Sequence, residues 1–152
     1  ERQVAPNQYA FEYSTMSLEE IQDFEIPSNA ALDNCHLLVW TTQKFLPYAL
    51  DIIKLWGFRY VFTMIWHKPG GFQPYNLPQY NCEFVLYARK GSPHFLETKN
   101  FFTCFDAPRS GHSVKPDEFY NLIRRVCPAP RIDIFARKEH EGFDTWGAEA
   151  NE

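Results

Sequence analysis

The sequence has no long apolar run. Its hydrophobic stretches are short and broken by charges, which excludes a transmembrane helix of about 20 residues. Glycine is sparse, at 7 of 152 residues, and the glycine-built ligand loops are missing. There is no G-x-G-x-x-G, no G-x-x-x-x-G-K and no G-x-S-x-G, so the dinucleotide fingerprint, the phosphate loop and the nucleophile elbow are all excluded. Cysteine is equally thin. Cys35, Cys82, Cys104 and Cys127 keep no metal-knuckle spacing, and His36, His67, His94, His112 and His140 are as dispersed, so no zinc site is expected. The cysteines read as reduced core residues of an intracellular protein. The first residues, ERQVAPNQYAFEY, lack the charged-then-apolar layout of a secretory signal, and the chain does not begin with Met.

Aromatic residues are abundant instead. The 14 Phe, 8 Tyr and 4 Trp make up 17% of the chain, within an apolar share of 45%. That composition argues against disorder and supplies the core of a single domain. The formal charge of -4 hides an uneven distribution. Residues 59–138 carry 12 basic and 6 acidic side chains, whereas the flanking segments are acidic. Either these cations form one electropositive face or they scatter over several.

Met16-Ser17-Leu18-Glu19-Glu20-Ile21 has the capping box and hydrophobic staple of a helix start, and Pro27 follows its end. CHLLVW (35–40) is a continuous apolar run suited to a strand covered on both faces. Leu46, Leu50, Ile53 and Trp56 repeat at helical spacing, with Pro47 in the first turn and Gly57 as the stop. FRYVFTMIW (58–66) reads as the next strand, so the order suggests a βαβ unit with parallel pairing. The stretch 67–80 holds three Pro and two Gly and reads as a long functional loop. CEFVLYARKG (82–91) is a strand and turn, and FFTCF suggests a short strand. Pro116 opens a helix whose apolar face is Phe119, Leu122, Ile123 and Val126, and RIDIFAR (131–137) alternates as a strand. Interleaved strands and helices imply a three-layer α/β domain. Its ligand site is then expected where the segments after Trp40, Trp66, Cys104 and Phe135 converge.

Several residues are candidates for chemistry, each with a plainer alternative. Lys115 precedes the Pro-opened helix, where it holds a carboxylate or phosphate beside the helix N-terminus, or is simply solvated. Trp66 and Lys68 at a strand end offer a stacking ring and a phosphate contact, or else a core Trp beside a surface Lys. Tyr13, Tyr75 and Tyr80 in loops share that ambiguity. Glu83, opening an apolar strand, needs a partner if buried; it accepts from an exocyclic amine or pairs with Lys or Arg. Arg137 and Glu149, in the WGAE turn, are candidate contacts for a cofactor ribose or carboxylate, or an ordinary solvated edge.

Taken in order, YSTMSLEEI, LLVW, LWGFRYVFTMIWHK, CEFVLYARKG, APRSGHSVKPDEFYNLIRRVCP, RIDIFAR and FDTWGAE closely resemble the adenine-N6 methyltransferases of the 70-kDa methyltransferase-A family, from about Tyr13 to Glu149. The resemblance implies a Rossmann-like three-layer sandwich that binds S-adenosyl-L-methionine and methylates the N6 amine of adenine in nucleic acid, DNA in preference to RNA. It implies that Lys115, Arg137, Glu149 and His140 contact the cofactor, and that Tyr13, Trp66, Lys68 and Glu83 border the substrate. A homodimer or a methyltransferase-like partner subunit, no membrane, and a cytoplasmic or nuclear setting follow from the same resemblance.

Two departures stand against it. The family's Asp-Pro-Pro-Trp motif, which receives the adenine amine at the end of a strand, does not occur in the chain, and Ala148 stands where an Asn is common. The expectation is therefore a single methyltransferase-like domain over 1–152, incomplete at its N-terminus and lacking its first motif-bearing strand. Its alternative is a catalytically inactive subunit that binds nucleic acid or regulates a partner.

Overall fold

The computed structural model describes residues 33–109, 114–134 and 140–146. The expected helix that starts at 16–21 and ends before Pro27, and Tyr13, Arg137 and Glu149 with their surroundings, lie outside the described residues. The elements in chain order are β1 (Cys35–Thr41), α1 (Leu46–Leu55), β2 (Arg59–Phe72), β3 (Tyr80–Lys90), β4 (Cys104–Asp106), α2 (Asp117–Val126), β5 (Ile132–Ile134) and β6 (Asp144–Trp146). The first four strands form one sheet in the order β1-β3-β2-β4, and β5 and β6 pair parallel in a second, two-stranded sheet.

The order corrects the expected pairing. β1 and β2 run in the same direction, as a βαβ unit requires, but they do not touch. β3 lies between them, antiparallel to both, with Trp40 opposite Val85 and Trp66 opposite Glu83. The physical reason is visible in β3 itself: Val85, Leu86, Tyr87 and Ala88 are all fully buried, so this strand needs cover on both faces and both edges. β4 then pairs parallel with β2, placing Trp66 beside Phe105.

Strand parity sends β3 side chains alternately to two cores. On one face Leu86 and Ala88 pack with Ala49, Ile53 and Phe58, from α1 and its exit. On the other, Met64 and Val85 pack with Phe119, Tyr120, Ile123 and Val126 from α2. One helix thus covers each face of the sheet. Helix α1 ends in a Schellman motif. Gly57, at φ +86°, donates its N–H to Lys54 O and Phe58 donates to Ile53 O, while Phe58 and Ile53 are buried together.

The segment expected to be a loop at 67–80 is mostly hairpin. β2 continues to Phe72, and only 73–79 lies outside the two strands. The proline and glycines are accommodated by a register shift: His67 faces Cys82 and Phe72 faces Tyr80, so the Lys68-Pro69-Gly70-Gly71 segment bulges from the ladder. Proline tolerates a bulge because no ladder donor is needed there, and Gly70 and Gly71 take φ +94° and +90°. The cysteines are also less uniform than expected. Cys127 is buried, Cys35 and Cys82 are half-buried and Cys104 is exposed on the short β4 strand. No helix among the described residues is long and apolar enough to cross a membrane.

The two glycine positions predict different costs. At Gly57 a Cβ meets nothing within 4 Å, so Gly57→Ala should cost only the backbone term of about 1 kcal/mol. At Gly71 the added Cβ lies 3.0 Å from Tyr80 O and 3.2 Å from Asn81 Cβ, so Gly71→Ala should cost more. Denaturant titration of both variants checks the ranking, and equal or reversed losses contradict it.

Candidate functional site

The carboxyl ends of β1, β2 and β4 and the start of β3 meet on the α2 face, as expected for the segments after Trp40, Trp66 and Cys104. The segment after Phe135 lies outside the described residues. At the centre is Glu83, only 8% exposed. Lys68 donates to its Oε2 at 2.6 Å and Lys115 to its Oε1 at 3.2 Å, so each carboxylate oxygen holds one ammonium. Lys68 reaches it because the bulge begins at Lys68, and Lys115 because it immediately precedes the N-cap of α2. Both cations also lie over indole rings: Lys68 is 4.9 Å from the Trp66 ring and Lys115 is 4.7 Å from the Trp40 ring.

The opposing effects on Glu83 have a clear winner. Burial, the largest single influence, raises the carboxyl pKa; the charge of Lys115 and the hydrogen bond and charge of Lys68 together outweigh it and hold Glu83 below the ordinary glutamate value. The carboxylate is therefore an ion in a largely dry place. It is tolerated there because it is doubly paired.

A second group lies along α2. His140 stacks on Tyr120 with ring centroids 3.4 Å apart, and its nitrogens lie 3.8 Å from an Asp117 oxygen and 3.9 Å from an Asp133 oxygen. Tyr120 donates its hydroxyl proton to Asp133 at 2.8 Å. Burial raises the Asp133 pKa, and the Tyr120 hydrogen bond and the charge of Lys115 only partly reverse that rise. The Tyr120 hydroxyl is itself raised, by burial and then by the Asp133 charge. Lys115 thus links the Glu83 and Asp133 carboxyls electrostatically.

Four sequence candidates, Trp66, Lys68, Glu83 and Lys115, come together, with His140 stacked on Tyr120 of α2. Trp66 differs from its expected stacking role: the indole is 3% exposed, donates to Ala107 O at 2.8 Å and meets Trp40 edge to face at 5.8 Å. Its position is the core one, and it acts on the site through the Lys68 ammonium above it. Lys115 in turn is no solvated lysine, since its side chain is 23% exposed and paired.

Trp40, Tyr120 and Asp133 were not singled out in the sequence. Trp40 sits in an apolar run and gains meaning only once β3 brings Glu83 onto its face. Asp133 falls on the polar side of an alternating strand, which suggests solvent, yet its side chain is 19% exposed and bonded to Tyr120. An acidic residue flanked by two isoleucines was the available signal.

The two carboxyls should respond oppositely to acid. Glu83 has a folded pKa below its unfolded value, so its stabilisation is complete above the unfolded value and is lost as pH falls through the folded one. Asp133 has a raised folded pKa, so its cost to folding at neutral pH disappears as pH falls below the unfolded value. Glu83→Gln, which leaves two ammoniums without their counter-ion, should cost about 3 kcal/mol at neutral pH and flatten the acid limb of the stability profile. Asp133→Asn should steepen that limb. Denaturant melts between pH 3 and pH 7 read both, and a parallel response of the two variants refutes the assignment.

The family model MT-A70 matches residues 1–149. The chain is similar to the Type II methyltransferase M.MunI of Mycoplasma sp, at 35% identity over 147 residues that cover 92% of this chain and 60% of that protein. It is 30% identical over 133 residues to the N(6)-adenosine-methyltransferase MT-A70-like protein of Drosophila melanogaster, covering 82% of this chain and 22% of the relative. Against the N(6)-adenosine-methyltransferase catalytic subunit METTL3 of Homo sapiens the identity is 27%, again over 82% of this chain and 23% of that protein. The chain therefore spans 60% of the first of these relatives and under a quarter of the other two. With a family model covering nearly every residue, the chain belongs to the MT-A70 family.

Proposed function

We propose that this chain is the cofactor- and substrate-holding part of an S-adenosyl-L-methionine-dependent methyltransferase that modifies the N6 amine of adenine in nucleic acid. The observation that carries the reading is the buried Glu83 carboxylate shared between Lys68 and Lys115 at the carboxyl ends of the strands. A Rossmann-like arrangement and a single domain over 1–152 are part of the same proposal, supported by parallel-running β1 and β2 with a helix on each face.

The residues present fit the amino-acid end of such a cofactor. That end carries one carboxylate and one ammonium. Lys115 has three N–H donors, of which one is directed to Glu83, and it stands at the N-terminal end of α2, where amide dipoles favour an anion. Glu83 is an ionised carboxylate able to receive an ammonium or the exocyclic amine of a base. His140, Arg137 and Glu149 complete the proposed cofactor contacts, and Tyr13 with Lys68 and Glu83 the substrate side. When bound, the cofactor supplies the methyl group as an electrophile on a sulfonium centre.

The chain's own contribution is placement. Methyl transfer needs the amine nitrogen in line with the methyl carbon, and fixed charges lower its cost only if they are already oriented. The doubly paired Glu83 and the ring contacts under both lysines hold those charges in place. Lys68 is assigned to a backbone phosphate, consistent with the basic excess of residues 59–138. The higher identity to a type II methyltransferase than to METTL3 favours DNA over RNA. A target adenine within a duplex would have to leave the stack, and the 67–80 hairpin beside the site is the element proposed to shape its pocket.

A second reading, a non-catalytic subunit that binds nucleic acid or regulates a partner, is favoured by one specific feature: no Asp-Pro-Pro-Trp occurs in these 152 residues. Transfer of labelled methyl groups to adenine-containing DNA and RNA oligonucleotides by the full-length protein separates the two. Transfer supports the first reading, and cofactor or oligonucleotide binding without transfer supports the second.

The lysines should separate by ligand. Lys115→Ala should weaken cofactor binding about tenfold, the loss of one charge-assisted contact, and change oligonucleotide affinity little. Lys68→Ala should weaken oligonucleotides and lower the slope of log affinity against log salt by about one. Calorimetry and anisotropy measure the two; equal cofactor affinity of the Lys115 variant and wild type would overturn its role.

A further inference from the structure

Tyr75 is 96% exposed, the most exposed large hydrophobic side chain among the described residues. It stands at the tip of the β2–β3 hairpin, which continues the same two strands that carry Trp66, Lys68 and Glu83. From Glu83 back to Tyr80 the arm extends roughly 10 Å beyond the site at the strand rise of about 3.3 Å per residue, before the 73–79 loop begins.

The tip is built rather than slack. Phe72 and Tyr80, the last paired residues, meet edge to face at 6.5 Å. Leu77 N–H donates to Pro74 O at 3.1 Å, closing a turn with Tyr75 and Asn76 in its centre, and Asn76 takes the left-handed φ of +62°. The Gln73 side-chain amide donates to Leu77 O at 3.1 Å, bracing the turn from within. The Tyr75 ring held in water buries almost nothing within the described residues, and Leu77 beside it is half exposed.

Charge indicates what the ring meets. No acidic residue occurs from His67 to Cys82, and Lys68 stands at the base of that hairpin. An arm free of negative charge, leading from a lysine at its base to an aromatic at its end, suits a polyanion that also carries flat apolar faces. Nucleic acid has both.

We propose that the β2–β3 hairpin is a nucleic-acid arm in which Tyr75 stacks on a nucleobase of the substrate, acting as a positioning residue beside the target adenine. The inference rests on the nucleic-acid reading above. The ring supplies stacking without base identity, because every base has a π-face, and a phosphate contact at Lys68 sets the register of the strand along the arm.

The intact protein tests it with a fluorescent adenine-containing DNA oligonucleotide followed by anisotropy over a range of salt. Tyr75→Ala should weaken binding about tenfold, within the range of base–aromatic stacking, and Tyr75→Trp should restore it. The salt slope should stay at the wild-type value for both, since no ion is lost, and S-adenosyl-L-methionine affinity should not move. If wild type binds and Tyr75→Ala binds equally, the arm is refuted while the nucleic-acid reading stands. If wild type binds no oligonucleotide, that reading falls and the inference falls with it. Dissociation of a dimer by Tyr75→Ala, with oligonucleotide affinity unchanged, assigns the tip to a second copy of the chain and likewise overturns the proposal.

Discussion

A carboxylate taken out of water costs several kcal/mol unless its lone pairs are met by charge and hydrogen bonds, and Glu83 is such a carboxylate. Meeting it requires two lysines from distant parts of the chain, 15 and 32 residues away in sequence. The arrangement of the sheet follows the same logic. β3 must lie beside β2 for Glu83 to face Trp66, β2 must bulge for Lys68 to be delivered, and α2 must begin at the sheet's carboxyl end for Lys115 to arrive. Disturbing any of these strands a buried charge, so the ion triad ties the site to the fold. Two cations around one anion leave that triad with a net positive charge, which suits an incoming anion better than a cation.

The two cores divide the work of holding this geometry. The α1 side is conventional: small and branched side chains, a closed helix end and an exit through Phe58 into β2. The α2 side is aromatic and carries the polar groups. Its rings form a continuous path in which Trp66 meets Trp40 at 5.8 Å, Trp40 meets Phe119 at 4.9 Å, Phe119 meets Tyr120 at 5.5 Å and Tyr120 meets His140 at 3.4 Å. Edge contacts between large flat rings restrict each other's rotation, so a lysine lying on one of them is fixed along with it.

Local features were the most legible from sequence. Helix α1 with its Gly57 stop and the Pro-opened α2 depend on spacing and on one or two special residues, and they lie where those residues place them, whereas β2 runs past its expected end to Phe72. Which strands pair was less legible, because the hydrophobic pattern of CHLLVW and FRYVFTMIW is equally compatible with direct parallel pairing and with a third strand between them. The decision lay in β3, whose four consecutive buried residues, Val85 to Ala88, suit the central position. That same step governs the site. Lys115, Lys68, Glu83 and Trp66 stand out by residue type and position, whereas Trp40 and Asp133 acquire a role only from neighbours brought in by tertiary packing.

The bulge at 68–71 shows how a breach of local rules becomes a functional device. Proline and paired glycines inside a strand weaken its ladder, and a sheet designed for stability alone would exclude them. Here the breach falls at the point where β2 passes the end of the core. Straight pairing would keep Lys68 in the regular alternation of the strand; the three extra residues on the β2 side let the chain leave the ladder and rejoin it at Phe72. Gly71 rejoins so tightly that a Cβ there would stand 3.0 Å from the Tyr80 carbonyl oxygen, so any side chain would push its neighbours aside by a few tenths of an ångström. The fold therefore gives up ladder hydrogen bonds over a few residues and gains a lysine on a buried carboxylate together with a hairpin that restarts in register beyond it. Both consequences come from one short segment, so the charge at the centre of the site and the arm that extends past it are set by the same backbone geometry.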